Sequence, residues 1–191
     1  LRISPLGAHV DHQNGLVTGM TLDRAIFLAF APRSDRRVVV ESLNFDGRVD
    51  FGLDAIPPKA AGDWGNYARG AAMALGREHD LSVGMTAVVM GSMPIGGLSS
   101  SAAVGIAYLL ALEYANDLPA APEANITLDR FIENTYLGLR NGVLDQSMIL
   151  LSEARKLTYM DCASMDVEKV STPSTCEPFE ILVVYSGVAQ Q

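Results

Sequence analysis

Lysine and arginine are scarce in this chain: 14 in 191 residues, against 22 aspartates and glutamates, for a formal net charge of -8. A nucleic acid or an anionic membrane surface needs clustered cations, so neither is expected as a partner, and any phosphate recognition has to be local. Cysteine is nearly missing as well. Cys162 and Cys176 offer neither zinc-ligand spacing nor a disulfide framework, which implies a reducing compartment and a cytoplasmic protein. No run of eighteen apolar residues occurs, and no charged-then-apolar leader, so no stretch reads as a targeting or membrane-spanning segment. Internal repeats and low-complexity tracts are absent, which excludes solenoids and linker-like chains. With 49% hydrophobic content the chain can bury a substantial core, in one domain or in one domain with a fragment of another. Leu1 is not an initiator Met and stands at the start of a motif, and Gln191 ends just after a strand-like run, so the sequence reads as a piece of a longer protein. Nothing in it sets an oligomeric state.

The densest local pattern runs from Met93 through Pro94, Gly96, Gly97, Leu98, Ser99, Ser100, Ser101, Ala102 and Ala103 to Gly105. The apolar run Met85–Met90 leads in as a strand, and Val104 to Ala115 continues as an apolar helical pattern. Strand, glycine turn and helix start together aim backbone N–H groups and the positive end of a helix dipole at one point, where glycine lets an anion approach the main chain. This layout reads as a phosphate cradle, although neither a Walker loop nor a dinucleotide G-x-G-x-x-G is matched. A serine N-cap behind a glycine loop is the plainer reading of the same residues.

Elsewhere, Leu1 to Gly15 crowds Arg2, His9, Asp11 and His12 among turn residues, a polar density that suits a site. The run His9-Val10-Asp11-His12 invites a metal reading but offers no full ligand set at usual spacing. Ala25–Phe30, Arg37–Ser42 and Arg48–Phe51 read as an antiparallel meander, and Trp64, Tyr67, Ala68, Ala71, Ala72 and Leu75 recur at helical spacing after Pro57-Pro58. The aromatic pair is expected in the core. Asn116 to Asn125 reads as a connection. Thr127 is the expected cap of a helix over Leu128–Leu139, whose stripe is Leu128, Phe131, Ile132, Tyr136 and Leu139. Lys156–Met160, Val167–Val170 and Phe179–Tyr185 read as closing strands.

Two acids stand out. Glu133 lies beside that stripe, and twelve residues on Asp145 is bordered by Val143, Leu144, Met148 and Ile149. A carboxylate in such surroundings needs a cation or a donor, and Arg2 is the candidate; a solvent-facing Asp near a helix start is the alternative.

Taken together, three separated blocks resemble the GHMP small-molecule kinases, in particular their galactokinase branch. Arg2 through Gly15 is similar to the galactokinase signature, Pro94 with Gly97–Ala103 is similar to the family's phosphate motif, and Asn141-Gly142-Val143-Leu144-Asp145-Gln146 is similar to its Cys-Gly-Ile-Met-Asp-Gln. The resemblance implies an α+β fold, a mixed or antiparallel sheet with packed helices in a ribosomal-protein-like two-layer arrangement. It implies an N-terminal domain over residues 1–180, with 181–191 starting a C-terminal domain otherwise outside this sequence. It implies ATP and Mg²⁺, with Gly96, Gly97, Leu98, Ser99, Ser100, Ser101 and Ala102 on the phosphates and Ser100, Ser101 and Glu133 on the metal. Asp145 and Arg2 would be catalytic, and Ala8, His9, Asp11 and Gly142 would line the sugar pocket.

One departure is informative. Galactokinases carry Glu where this chain has Ala8, and in the family that Glu accepts from the sugar's hydroxyl at carbon 6. A carboxylate at that carbon would face a like charge, at a cost that Ala8 removes. The blocks Ser4–Gln13, Leu137–Gly142 and Leu157–Cys162 resemble the plant-type galacturonokinases, so the implied substrate is galacturonate and the implied reaction is phosphorylation of its anomeric hydroxyl. His12 and Arg140 are the candidate cations for its carboxylate. Galactose phosphorylation is the alternative, and a non-catalytic sugar- and ATP-binding regulator on the same scaffold is another.

Overall fold

Alternation of buried and exposed side chains along Gly84–Gly91 sets the register of one sheet: Met85, Ala87 and Val89 are buried, whereas Thr86, Val88 and Met90 face outward. The computed structural model describes residues 1–93, 97–177, 179–184 and 187. Its strands are β1 (Arg2–Ile3), β2 (Leu16–Thr21), β3 (Ile26–Arg33), β4 (Arg37–Ser42), β5 (Arg48–Gly52), β6 (Gly84–Gly91), β7 (Lys156–Asp161) and β8 (Val167–Ser171). The helices are α1 (Asn66–Gly76), α2 (Ser100–Ala115), α3 (Pro122–Phe131) and α4 (Leu144–Leu151), and a π-helical segment, Ile132–Tyr136, continues α3.

The strands form two four-stranded sheets, in the orders β1-β2-β7-β8 and β3-β6-β4-β5. The expected antiparallel meander of β3, β4 and β5 is therefore corrected. β6 inserts between β3 and β4 and runs parallel to β4, which makes that sheet mixed. A parallel neighbour needs a long crossover, and α1 supplies it between β5 and β6.

Val38, Val40, Val49 and Phe51 from this sheet meet Ala68, Ala71, Ala72 and Leu75 of α1 and Tyr108, Leu109 and Leu112 of α2 in the main core. Alanine at four positions of α1, with Ala74 the fourth, lets the helix approach closely. Trp64 precedes α1 and stacks on Phe45, while Tyr67 is only partly buried against this core. A second, smaller core joins Val17, Met160 and Cys162 to Ile126, Val143, Leu144 and Met148. Gly19 makes that core possible, because a Cβ there would fall on the side chain of Met148.

Two further expectations are corrected. The connection Asn116–Asn125 ends early: Pro122 occupies the first turn of α3, where its missing N–H costs nothing, and Thr127 lies inside the helix with its hydroxyl donating to the Glu123 carbonyl. The helical stretch also ends at Tyr136 rather than at Leu139. The closing strand expected over Phe179–Tyr185 is not seen among the described residues of that range. Residues 179–184 belong to no strand, and Tyr185 lies outside the described residues.

Candidate active site

Four segments far apart in sequence meet around a cavity of about 1040 Å³: the turn-rich stretch after β1, the start of α1, the start of α2 and the loop that leads into α4. Arg2, Ala8, His9, Asp11, Gly97, Ser99, Ser100, Ser101, Gly142 and Asp145, all expected at the site, line it. Glu133, Leu98 and Ala102 do not. Leu98 accepts a hydrogen bond from the Arg2 backbone N–H at 3.3 Å through its carbonyl, and Ala102 is fully buried. Gly96 lies outside the described residues.

Arg2 closes on Asp145, as the expense of an unpaired acid there requires. Its Nε donates to Oδ1 at 2.8 Å, and a terminal nitrogen lies 2.6 Å from the same oxygen. Among the described residues Oδ2 of Asp145 accepts no hydrogen bond, so one carboxylate oxygen is held by the cation and the other is open to a ligand. The two side chains are 16% and 25% exposed, which rules out the reading of Asp145 as fully solvated. Arg2 thus holds two parts of the site at once: its main chain grips the loop before α2 and its side chain grips α4.

Asp11 has a role that sequence reasoning missed. Its Oδ2 accepts the Leu144 N–H at 3.1 Å and satisfies one of the four unbonded donors at the start of α4, the helix that carries Asp145. Gly142 is required beside it, since a Cβ there would fall on the Asp11 carboxylate and crowd the His12 backbone. No sequence signal links positions 11 and 144.

At α2, the expected serine cap is corrected. Ser99 occupies the N-cap position in the left-handed region (φ 59°) and its side chain caps nothing; its buried hydroxyl has no partner among the described residues. Gly97 is also left-handed (φ 66°), which its missing Cβ permits. Two left-handed residues turn the chain sharply into a 16-residue helix whose first N–H groups have no intrahelical acceptor.

Glu133 sits beneath the cavity, fully buried in the π-helical segment. The wider π turn shows in the Leu137 N–H bonding to the Ile132 carbonyl five residues back, a distortion often found at functional sites. Its Oε2 accepts from Asn141 Nδ2 at 2.9 Å and from Gln146 Nε2 at 3.2 Å, and Oε1 has no partner among the described residues. Burial pushes its carboxyl above the ordinary range, against the hydrogen bond from Asn141. Asn134 and Asn141 add a reciprocal pair, side chain to backbone in both directions, that ties the 137–143 loop to the π segment. Neither Gln146 nor Asn134 was anticipated, nor Tyr67 as a lining residue; burial, with the nearby Glu133 second, pushes the Tyr67 phenol up to about 12.

Comparison with known proteins places these features in context. Residues 66–153 match the family described as GHMP kinases N terminal domain. A galacturonokinase from Arabidopsis thaliana is 49% identical over 208 residues, covering 99% of this chain and 49% of that protein. A galactokinase from Chloroflexus aggregans is 33% identical, covering 98% and 47%. The chain thus spans about half the length of these curated relatives. Among solved structures, Lactococcus lactis galactokinase complexed with galactose superposes with a TM-score of 0.85 at 29% identity, over 89% of this chain and 45% of that one. Methanococcus jannaschii mevalonate kinase shares the fold, with a TM-score of 0.74 at 16% identity over 90% of this chain and 54% of that one.

Proposed function

Because the chain carries a GHMP kinase N-terminal domain with the α+β fold of a galactokinase, we propose that it is the sugar- and phosphate-binding part of an ATP-dependent kinase that acts on the anomeric hydroxyl of D-galacturonate. The observation that carries this reading is the Arg2–Asp145 pair, with one carboxylate oxygen open, in the same cavity as the start of α2.

Phosphoryl transfer asks for positioned charge more than for covalent chemistry. In the proposed reaction the anomeric hydroxyl approaches Oδ2 of Asp145 and gives up its proton there. Its oxygen forms the new bond to the γ-phosphorus, and the bond from that phosphorus to the β–γ bridging oxygen breaks, leaving ADP. Arg2 keeps Asp145 aimed while it offers positive charge to the transferred group. The turn at Gly97 to Ser99, through Leu98, and the N–H groups of Ser100, Ser101 and Ala102 take the nucleotide phosphates, and Gly96, outside the described residues, is proposed with them. His9, Asp11, Ala8 and Gly142 form the sugar end of the cavity.

The residues present also fit a magnesium ion. Glu133 keeps one buried oxygen without a partner, and the Ser100 and Ser101 hydroxyls line the cavity above it. Among the described residues no three acidic, histidine or cysteine side chains cluster as a cage, so nucleotide phosphates and water would have to supply the ion's other oxygens. Bound there, Mg²⁺ would supply charge neutralisation on those phosphates.

We extend the proposal to the domain boundary, with residues 1–180 as the N-terminal domain and 181–191 leading into a second one. No helix among the described residues is long and apolar enough to cross a membrane. Two free thiols, Cys162 and Cys176, suit a reducing compartment, and the cytoplasm is part of the proposal. The test is which sugar the full-length protein phosphorylates, and at which oxygen. Galactose is the alternative substrate, supported by the relatives named galactokinase.

A further inference from the structure

We propose that Arg140 is the residue that selects an acidic sugar, by pairing its guanidinium with the ligand's carboxylate. The inference rests on the galacturonate reading and deepens it.

Four side chains that carry full charge line the cavity: Arg2, Asp11, Asp145 and Arg140. Three are committed. Arg2 and Asp145 hold each other, and Asp11 caps α4 through the Leu144 N–H. Arg140 makes neither an ion pair nor a side-chain hydrogen bond among the described residues, and it is exposed and lines the cavity. His12, the other cation candidate, is already engaged within its own loop. Its Nδ1 lies 3.7 Å from Asp11 Oδ1, and its Nε2 lies 3.2 Å from the Gln13 amide.

Arg140 is also presented from a fixed backbone. On one side the Leu139 N–H bonds to the Glu133 carbonyl at 2.8 Å. On the other, Asn141 is tied at both its N–H and its carbonyl to Asn134, and at its side chain to Glu133. Gly142 then sits against Asp11 and the His12 backbone, which brings this loop onto the Ala8–His12 stretch. The uncommitted cation and the small, uncharged Ala8 therefore belong to the same end of the cavity. An anionic sugar needs a local cation, and a planar guanidinium matches a carboxylate with two parallel hydrogen bonds.

The experiment measures KM for galacturonate, for galactose and for ATP in the full-length protein and in its Arg140→Gln and Arg140→Lys variants. The expected result is a rise of about 10- to 100-fold in KM for galacturonate with Arg140→Gln, a smaller rise with Arg140→Lys, and KM values for galactose and ATP within about threefold of the parent. A rise confined to ATP would assign Arg140 to the nucleotide and overturn the inference. So would unchanged values for all three ligands, which would make it a solvated surface residue, and so would an equal rise for both sugars, which would make it structural. Should the parent protein itself fail to use galacturonate, the proposed function falls first and the inference with it, an outcome separate from the others.

Discussion

Both nitrogen contacts from Arg2 to Asp145 fall on a single oxygen, Oδ1, at 2.8 and 2.6 Å. A side-by-side guanidinium–carboxylate pair would use both oxygens; this geometry holds the acid in place and keeps Oδ2 for something else. Breaking it by Asp145→Asn preserves shape but removes the proton acceptor. Turnover is expected to fall by about 10²- to 10⁴-fold while the sugar dissociation constant changes only a few-fold. Steady-state kinetics with calorimetric sugar binding measure both, and near-normal turnover would take Asp145 out of the chemistry.

Asp11 caps α4 and is proposed to bind the sugar, and two substitutions separate the two roles. Asp11→Ala removes the cap from α4 and is expected to cost about 1 kcal/mol of stability as well as weaken sugar binding. Asp11→Asn keeps an oxygen for the Leu144 N–H, so stability should stay within about 0.5 kcal/mol of the parent, and the remaining loss in sugar affinity then reports the negative charge. Denaturant melts set beside binding isotherms read this out. Equal stability loss in the two variants would show that the oxygen is not acting as a cap.

The buried acid Asp129 on α3 gives a pH dependence. Burial first, and the neighbouring Glu133 charge second, push its carboxyl from an ordinary 3.8 up to about 9. The folded chain therefore keeps a proton that the unfolded chain releases above about pH 4. This contribution to stability is fully present below that pH and is lost as pH rises toward about 9. Asp129→Asn removes the linked proton, so its thermal midpoint should decline less between pH 6 and 9 than the parent's does. Parallel declines would mean that Asp129 does not titrate differently in the two states.

Ala8→Glu tests charge exclusion at the sugar end. A new carboxylate there should lower kcat/KM for galacturonate more than for galactose, since repulsion between like charges in a confined pocket is costly while a neutral hydroxyl can donate to it. The ratio of the two constants is the quantity to compare. If it is the same in parent and variant, position 8 does not face carbon 6.

Legibility in the sequence followed the range of the interactions. Strand β6 and helix α2 were readable because their apolar spacing is local, and the cost of an unpaired acid among Val143, Leu144 and Met148 called for a cation or a donor at Asp145, with Arg2 as one candidate. Strand order was not readable: the insertion of β6 between β3 and β4 is decided by how α1 crosses the sheet, which no local pattern encodes. The start of α3 was missed because Pro122 in a Pro/Ala-rich stretch looks like a breaker unless its position in the first turn is known. At the site, the capping of α4 by Asp11 joins residues 133 positions apart. The π turn around Glu133 leaves no trace in periodicity, and the left-handed Ser99 follows from packing rather than from serine's own preference.

The central claim is that this chain helps to place a phosphoryl group on the anomeric oxygen of an acidic sugar. The most direct measurement is to incubate the full-length protein with ATP, Mg²⁺ and, separately, galacturonate, glucuronate and galactose, to determine kcat/KM for each, and to locate the phosphate by ³¹P–¹H correlation. The highest kcat/KM is expected with galacturonate, with a product phosphorylated at carbon 1. Phosphate on any other oxygen, or turnover with galactose alone, would contradict it.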